Sequence, residues 1–244
     1  MNKIEIRISD VSKSFGATPA LRNASIVFRD GGLYGVIGPA GAGKTTLFRI
    51  LLRLMRENSG AVRYMVDGNE ADFETLREHI AYMPQSQSLY ADLSVAEHLD
   101  FFRRLYGIDN AEFARRRASL VHLARLDRFL DRPAGKLSGG MYKKLGLICA
   151  LLRSPKIMLL DEPTNGVDPI SRREFWSLLN TSREQGILVI TSTAYMDEAE
   201  RCSDVVLMER GRVLAVGEPA SMLAQNKCAS FDEFFIRRGG AEND

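Results

Sequence analysis

The sequence is short of several things at once. It has only three cysteines, Cys149, Cys202 and Cys228, an odd number without metal-site spacing. That argues against a disulfide framework and suits a reducing compartment. It has little excess charge: 33 Lys and Arg against 31 Asp and Glu leave a formal +2. No bulk electrostatic signal for nucleic acid follows from that balance. It has no long apolar run; the longest, Leu145 to Leu152, is far short of the ~20 residues a membrane helix needs. If the protein works at a membrane, another chain is expected to supply the span. Internal repeats and low-complexity linkers are also missing. The first residues, Met1 to Ile8, alternate with period two and carry charges, so they read as a strand and not a signal peptide.

What is present begins with Gly38-Pro39-Ala40-Gly41-Ala42-Gly43-Lys44-Thr45-Thr46. It fits G-x-x-x-x-G-K-[ST], a phosphate-binding loop. The apolar run Leu33–Ile37 before it reads as a buried strand, and Leu47–Leu52 after it as a helix. That strand–loop–helix setting is what the motif requires. Glycines at 38, 41 and 43 let the amides turn inward at the positive end of the helix, forming an anion nest. Lys44 supplies a point charge for β- and γ-phosphates. The Thr45 hydroxyl can ligate Mg²⁺, and Thr46 can donate to the α-phosphate. ATP or GTP binding is the expectation.

The 244 residues leave room for one large domain or two small ones. Strands are predicted at residues 3–8 and 24–29, with 11–16 closing in a turn, then at 61–66 and 80–83. Between 86 and 153 the pattern turns helical: Ser94 caps Val95–Tyr106, Asn110–Arg125 follows, 127–136 is a loop, and Ser138 caps a helix over about 141–152. Strands resume at 157–160 and 187–190 around the helix 171–184. This βαβ spacing implies a parallel sheet. A hairpin over 205–215 and one helical stretch over 218–236 complete the chain. The fold class is therefore α/β: a P-loop core with a mostly parallel sheet (1–85 and 154–217), an antiparallel β flank, an inserted helical subdomain (86–153), and a carboxyl-terminal helix and tail (218–244).

Two further stretches choose among P-loop proteins. Ile157–Leu160 ends in Asp161-Glu162, which puts two carboxylates at the carboxyl end of a buried strand, where open α/β sheets bind ligands. Asp161 can hold Mg²⁺ through water, and Glu162 can orient or deprotonate an attacking water. Leu137-Ser138-Gly139-Gly140-Met141 is another small-residue helix start, hence a second anion site. One chain has little use for two γ-phosphate cradles so far apart.

With these residues the chain resembles the ATP-binding cassette (ABC) ATPases, whose signature is LSGGQ between the P-loop and the acidic strand. The likeness covers nearly the whole chain. It is greatest to the multidrug-type (type-2) exporter branch, through Asp168–Arg173 and Tyr195–Glu200, and within it to the amino-terminal cassette of tandem ATPase subunits. The resemblance implies ATP and Mg²⁺ as ligands. It implies head-to-tail pairing with a second cassette, in which Ser138, Gly139 and Gly140 close the partner's nucleotide. It implies a separate transmembrane exporter subunit that keeps the chain at the inner face of the membrane, and no nucleic acid. By the same likeness Gln85 is the Q-loop glutamine that contacts Mg²⁺ and senses the transmembrane partner, Phe15 the aromatic that stacks on adenine, and Pro163–Asp168 the D-loop. Contact with the membrane subunit is expected through roughly Gln85 to Leu99.

Two positions depart from the pattern. Met141 replaces the usual glutamine. More seriously, Ala194 stands where the family has its switch histidine, and a methyl group can neither bond a γ-phosphate nor place a water. The histidines present, His79, His98 and His122, fall outside that motif. Slow hydrolysis in this chain's own site is the expectation, with Glu162 retained. Two alternatives stay open: a nucleotide-binding module with almost no catalysis, and a non-transport ABC ATPase. A P-loop kinase leaves the second cradle at Ser138 without a role.

Overall fold

A computed structural model describes residues 3–240 except Gln87, without the side chains of 238–240. In chain order the elements are β1 (Ile4–Phe15), β2 (Thr18–Arg29), β3 (Leu33–Ile37), α1 (Lys44–Leu51), β4 (Ser59–Val66), β5 (Asn69–Ala71), α2 (Phe73–Arg77), β6 (Ile80–Met83), α3 (Val95–Leu105), α4 (Asn110–Leu123), α5 (Gly139–Leu151), β7 (Ile157–Asp161), α6 (Pro169–Glu184), β8 (Leu188–Thr193), β9 (Asp204–Glu209), β10 (Arg212–Gly217), α7 (Pro219–Asn226) and α8 (Phe231–Gly240). Short 3-10 turns lie at Asp127–Phe129, Ala134–Lys136 and Met196–Arg201.

The strands form two sheets. One is antiparallel, in the order β2-β1-β4-β5; the other runs β10-β9-β3-β8-β7-β6, parallel except for the β9–β10 hairpin. Strands buried on both faces need no polar alternation, and β3, β7 and β8 have none: every residue in them is buried. Period-two geometry still sorts their side chains. Ile157, Leu159, Leu188, Ile190, Val36 and Val206 point into a core shared with α1 and the antiparallel sheet. Met158, Leu160, Val189, Ile37 and Leu207 point the other way, into a core shared with α5 and α6.

Sequence expectations and structure differ in three of the elements. The turn expected at 11–16 is strand: β1 continues to Phe15 through register shifts between Ile8 and Ser14, with Asp10 at φ 51° and, on β2, Asn23 at φ 49°. Bulges interrupt the alternation there, which is why the pattern fails while the pairing persists. The single carboxyl-terminal helix is two: Lys227 at φ 52° ends α7 in a left-handed turn before α8 begins. The three-residue β5 carries too little pattern to predict. The tail 241–244 lies outside the described residues, as do Met1 and Asn2 of the first predicted strand.

Within 86–153 the helices are fixed by local chemistry. Ser94 and Glu97 form a reciprocal capping box at the start of α3, at 3.2 Å and 2.8 Å. Buried Lys144 of α5 pairs with Glu174 of α6 at 2.8 Å, pinning that helix to the core. Donation from Lys144, aided by Arg125, holds the Glu174 carboxyl below its usual range.

Two outcomes follow. Ser94→Ala removes one cap and should cost about 1 kcal/mol, a fall of roughly 2–4 °C in thermal midpoint for a chain of this size. Because the folded pKa of Glu174 is depressed, its stabilisation is present above the ordinary carboxylate value of 4.5 and is lost as pH falls through the lower folded value. Glu174→Gln should therefore flatten that acid limb of the stability-versus-pH curve measured by urea unfolding.

Candidate nucleotide site

The glycine-rich loop leaves the carboxyl end of β3 and runs straight into α1. Gly43 caps α1 at φ 103°, and a Cβ there would lie 2.4 Å from the Ala20 carbonyl oxygen of β2. A Cβ on Gly38 would lie 2.1 Å from the Met208 carbonyl oxygen of β9. The loop is therefore clamped between two strands, and only glycine fits at either clamp. The Gly38 amide donates to the Thr193 carbonyl at 3.2 Å, so the end of β8 is tied to the first residue of the loop.

Lys44 is buried at 4% exposure. Its Nζ donates to the Gly38 carbonyl at 2.6 Å and the Pro39 carbonyl at 3.0 Å, and lies 3.1 Å from Glu162 Oε1. The other carboxylate oxygen of Glu162 accepts from Gln85 Nε2 at 2.9 Å and more distantly from Asn165 Nδ2 at 3.4 Å. Glu162 holds φ 46°, the left-handed region, and its amide donates to Ser192 Oγ at 2.9 Å. That backbone conformation disfavours a side chain with a Cβ, and it turns the carboxylate out of the strand toward the loop.

Asp161 is fully buried. Its Oδ1 accepts from Ser192 Oγ at 2.6 Å, while Oδ2 finds no hydrogen-bond partner among the described residues. A buried carboxylate oxygen with nothing bonded to it is costly unless a ligand takes it. This orphan fits a hard divalent cation, which takes oxygen donors. Thr45 and Thr46, half-buried in the first turn of α1, bring two hydroxyls to the same loop. Ser192 was not singled out from sequence. The available signal is the buried hydroxyl run Thr191-Ser192-Thr193 at the carboxyl end of an otherwise apolar strand.

The other expected site residues sit in the loop itself, on the β1–β2 hairpin and at the start of α5. Phe15, 51% exposed, stands at the tip of the β1–β2 hairpin under the Lys13 ammonium. Ala40 and Gly41 form the outer bend of the loop, and Ala42 is buried behind it. Ser138 caps α5 through the Met141 amide at 3.3 Å. Gly139 and Gly140 face Gly166, Asp168 and Ser171 at the start of α6, none of which belongs to the 38–46 loop. Asp168 caps α6 through the amides of Ile170 and Ser171, and bonding to Ser171 holds its carboxyl below the usual range. Lys143 of α5 donates to the Gln85 carbonyl at 3.2 Å; burial pulls its ammonium pKa down while Asp161 and Glu162 pull it back up. Ala194 is exposed, directly after the residue bonded to Gly38. His98 is buried elsewhere, bracing the Tyr90 amide at 3.0 Å and the Ser94 carbonyl at 2.9 Å.

A glycine loop between a buried parallel strand and a helix, with a buried lysine and an acidic strand end beside it, defines a P-loop nucleotide-binding domain. The chain belongs to the ABC transporter family, whose description matches residues 21–165. It is 41% identical over 224 residues to the Probable multidrug ABC transporter ATP-binding protein YbhF of Escherichia coli (strain K12). That match takes in 91% of this chain and only 39% of YbhF. It is 34% identical to the Nod factor export ATP-binding protein I of Rhizobium sp. (strain N33), covering 96% of this chain and 78% of that protein. A solved structure of the ATP binding subunit of an ABC transporter superposes with a TM-score of 0.82 at 31% identity, covering 96% of this chain and 99% of the other. The mixed α/β architecture is that of these cassettes, and ATP is the nucleotide the family binds. Among the described residues no helix is long and apolar enough to cross a membrane.

The clamps at the loop give a direct outcome. Gly43→Ala combines a left-handed φ with a backbone clash, and should destabilise the fold by more than about 2 kcal/mol. Urea unfolding of the variant, with nucleotide binding by fluorescence, checks it.

Proposed function

We propose that this chain is the ATP-binding and ATP-hydrolysing cassette of an exporter, and that its own site holds MgATP but turns it over slowly. The first half is supported by the family match and by the names of two relatives, a probable multidrug ABC transporter ATP-binding protein and a Nod factor export ATP-binding protein. The second half rests on one observation: Ala194 sits next to the residue bonded to the P-loop, and its methyl group has no polar atom for a γ-phosphate or a water.

In this reading the loop amides of 38–46 and Lys44 bind the phosphates. The Lys44 ammonium exchanges loop carbonyls and Glu162 for phosphate oxygens, which frees the Glu162 carboxylate to accept a proton from water. Thr45, Asp161 and Gln85 would hold Mg²⁺, whose part is to neutralise charge between the β- and γ-phosphates. Phe15 is the adenine contact. Ser138, Gly139 and Gly140, facing away from this loop, complete the nucleotide site of a second cassette. The whole chain acts as one cassette in which 86–153 is a helical subdomain on the P-loop core.

The transmembrane subunit docks near Gln85–Leu99. The exposed Tyr90, edge-on to Phe101 at 5.4 Å, gives that region an apolar contact point. Such a subunit would keep the chain at the inner face of the membrane. Ala194 equally favours a nucleotide-gated module with almost no hydrolysis, and turnover separates the two.

Steady-state ATP turnover of the purified chain, with Lys44→Ala as the blank, is the test. The wild-type rate should lie above the blank, and Ala194→His should raise it by about a hundredfold or more, the size of one preorganised transition-state contact. Equal rates for wild type and Ala194→His would contradict the assignment of position 194. A wild-type rate at the blank with ATP still bound selects the near-silent module.

A further inference from the structure

Three consecutive residues of α5 each grip a different part of the protein. Tyr142 takes the Leu89 amide on its hydroxyl oxygen at 2.8 Å. Lys143 donates to the Gln85 carbonyl at 3.2 Å. Lys144 pairs with Glu174 of α6 at 2.8 Å. Gln85 and Leu89 are thus each fastened to the helix that begins at Ser138-Gly139-Gly140, and that helix is fastened to the core. At the front of the same segment, the Gln85 side chain donates to Glu162 Oε2 at 2.9 Å.

We infer that Tyr142 and Lys143 are positioning residues: a two-point strap that makes the Gln85–Glu162 hydrogen bond follow the position of α5. The inference rests on the reading that Glu162 handles the attacking water.

The chemistry supports this in three ways. Gln85 is exposed, so burial does little to steer its side chain, and a held backbone helps its amide keep the bond to Glu162. A hydrogen bond from an ammonium is stronger than a neutral one, and Lys143 makes one to the Gln85 carbonyl at 3.2 Å. Neither Tyr142 nor Lys143 bonds to the 38–46 loop: their partners are Leu89 and Gln85. A change in them should therefore reach the carboxylate without reaching the phosphate cradle. When the start of α5 is moved by contact with another molecule, the strap passes that movement to Gln85 and so to Glu162. A simple fastener makes a different prediction, since its loss would lower stability and disturb nucleotide affinity together with rate.

The test uses the Ala194→His chain, in which turnover is fast enough to resolve. Lys143→Met should lower kcat about tenfold with KM for ATP within twofold, and Lys143→Arg should recover at least half of the loss. Tyr142→Phe, which keeps the ring and removes the hydroxyl, should lower kcat about threefold. The double variant should cost little more than Lys143→Met alone, as expected for groups acting as one unit. An unchanged kcat in Lys143→Met, a KM that rises in step with the fall in kcat, or no recovery with arginine would overturn the inference. Glu162→Gln is the separate control: full turnover in it defeats the reading of Glu162. A second readout needs no turnover. In the wild-type chain, exchange of the Leu89 amide with deuterium should respond to MgATP. In Lys143→Met it should be at least tenfold faster and no longer respond. An unchanged Leu89 amide in Lys143→Met would overturn the strap whatever the control shows.

Discussion

A buried ammonium must be paired, and the way Lys44 is paired organises the centre of this molecule. With only 4% of its surface exposed, it draws the carbonyls of Gly38 and Pro39 from one side and Glu162 from the other. An uncompensated charge at that depth would cost several kcal/mol, so the loop after β3 and the end of β7 are held together by it. Ser192 closes the arrangement from β8, bonding both the Asp161 carboxylate and the Glu162 amide. Three adjacent parallel strands thus end in one polar cluster. The same ammonium is the group that phosphate oxygens would claim, so the contacts of the resting site are those a nucleotide would replace.

The sheets explain why the cluster can be polar at all. Side chains of β7 alternate between two apolar cores, which leaves the strand no polar residue until its carboxyl end. There the backbone turns left-handed at Glu162 and delivers a carboxylate to the loop. The signature segment before α5 is directed elsewhere, toward the start of α6. A chain with one complete loop and one outward-facing cradle suits a molecule that works against a second cassette, which is the arrangement proposed here.

Much of this was legible in the sequence because it is locally encoded. The P-loop spells its own turn, Ser94 before a helical apolar stripe spells a helix start, and four apolar residues before Asp161 spell a buried strand with acids at its end. Less legible features depend on partners distant in sequence. The strand past Asp10 is held by pairing with β2 across bulges, and no alternation announces it. The break at Lys227 is a left-handed turn without glycine, so nothing in the composition marks it. Ser192 and Lys143 look like ordinary polar residues until the fold sets them 31 and 58 positions away from Asp161 and Gln85 in sequence and within hydrogen-bond reach in space. The departure at Ala194 was visible only by likeness to a family, because a single alanine carries no pattern.

As proposed, this site should hold ATP intact for long periods because position 194 supplies no polar group. The most direct measurement is the fate of bound nucleotide: load the purified chain with radiolabelled ATP and Mg²⁺, remove the excess, and follow conversion to ADP on the protein over time. Bound ATP should persist in the wild-type chain and be converted at least tenfold faster in Ala194→His. Equal, rapid conversion in both chains would contradict it.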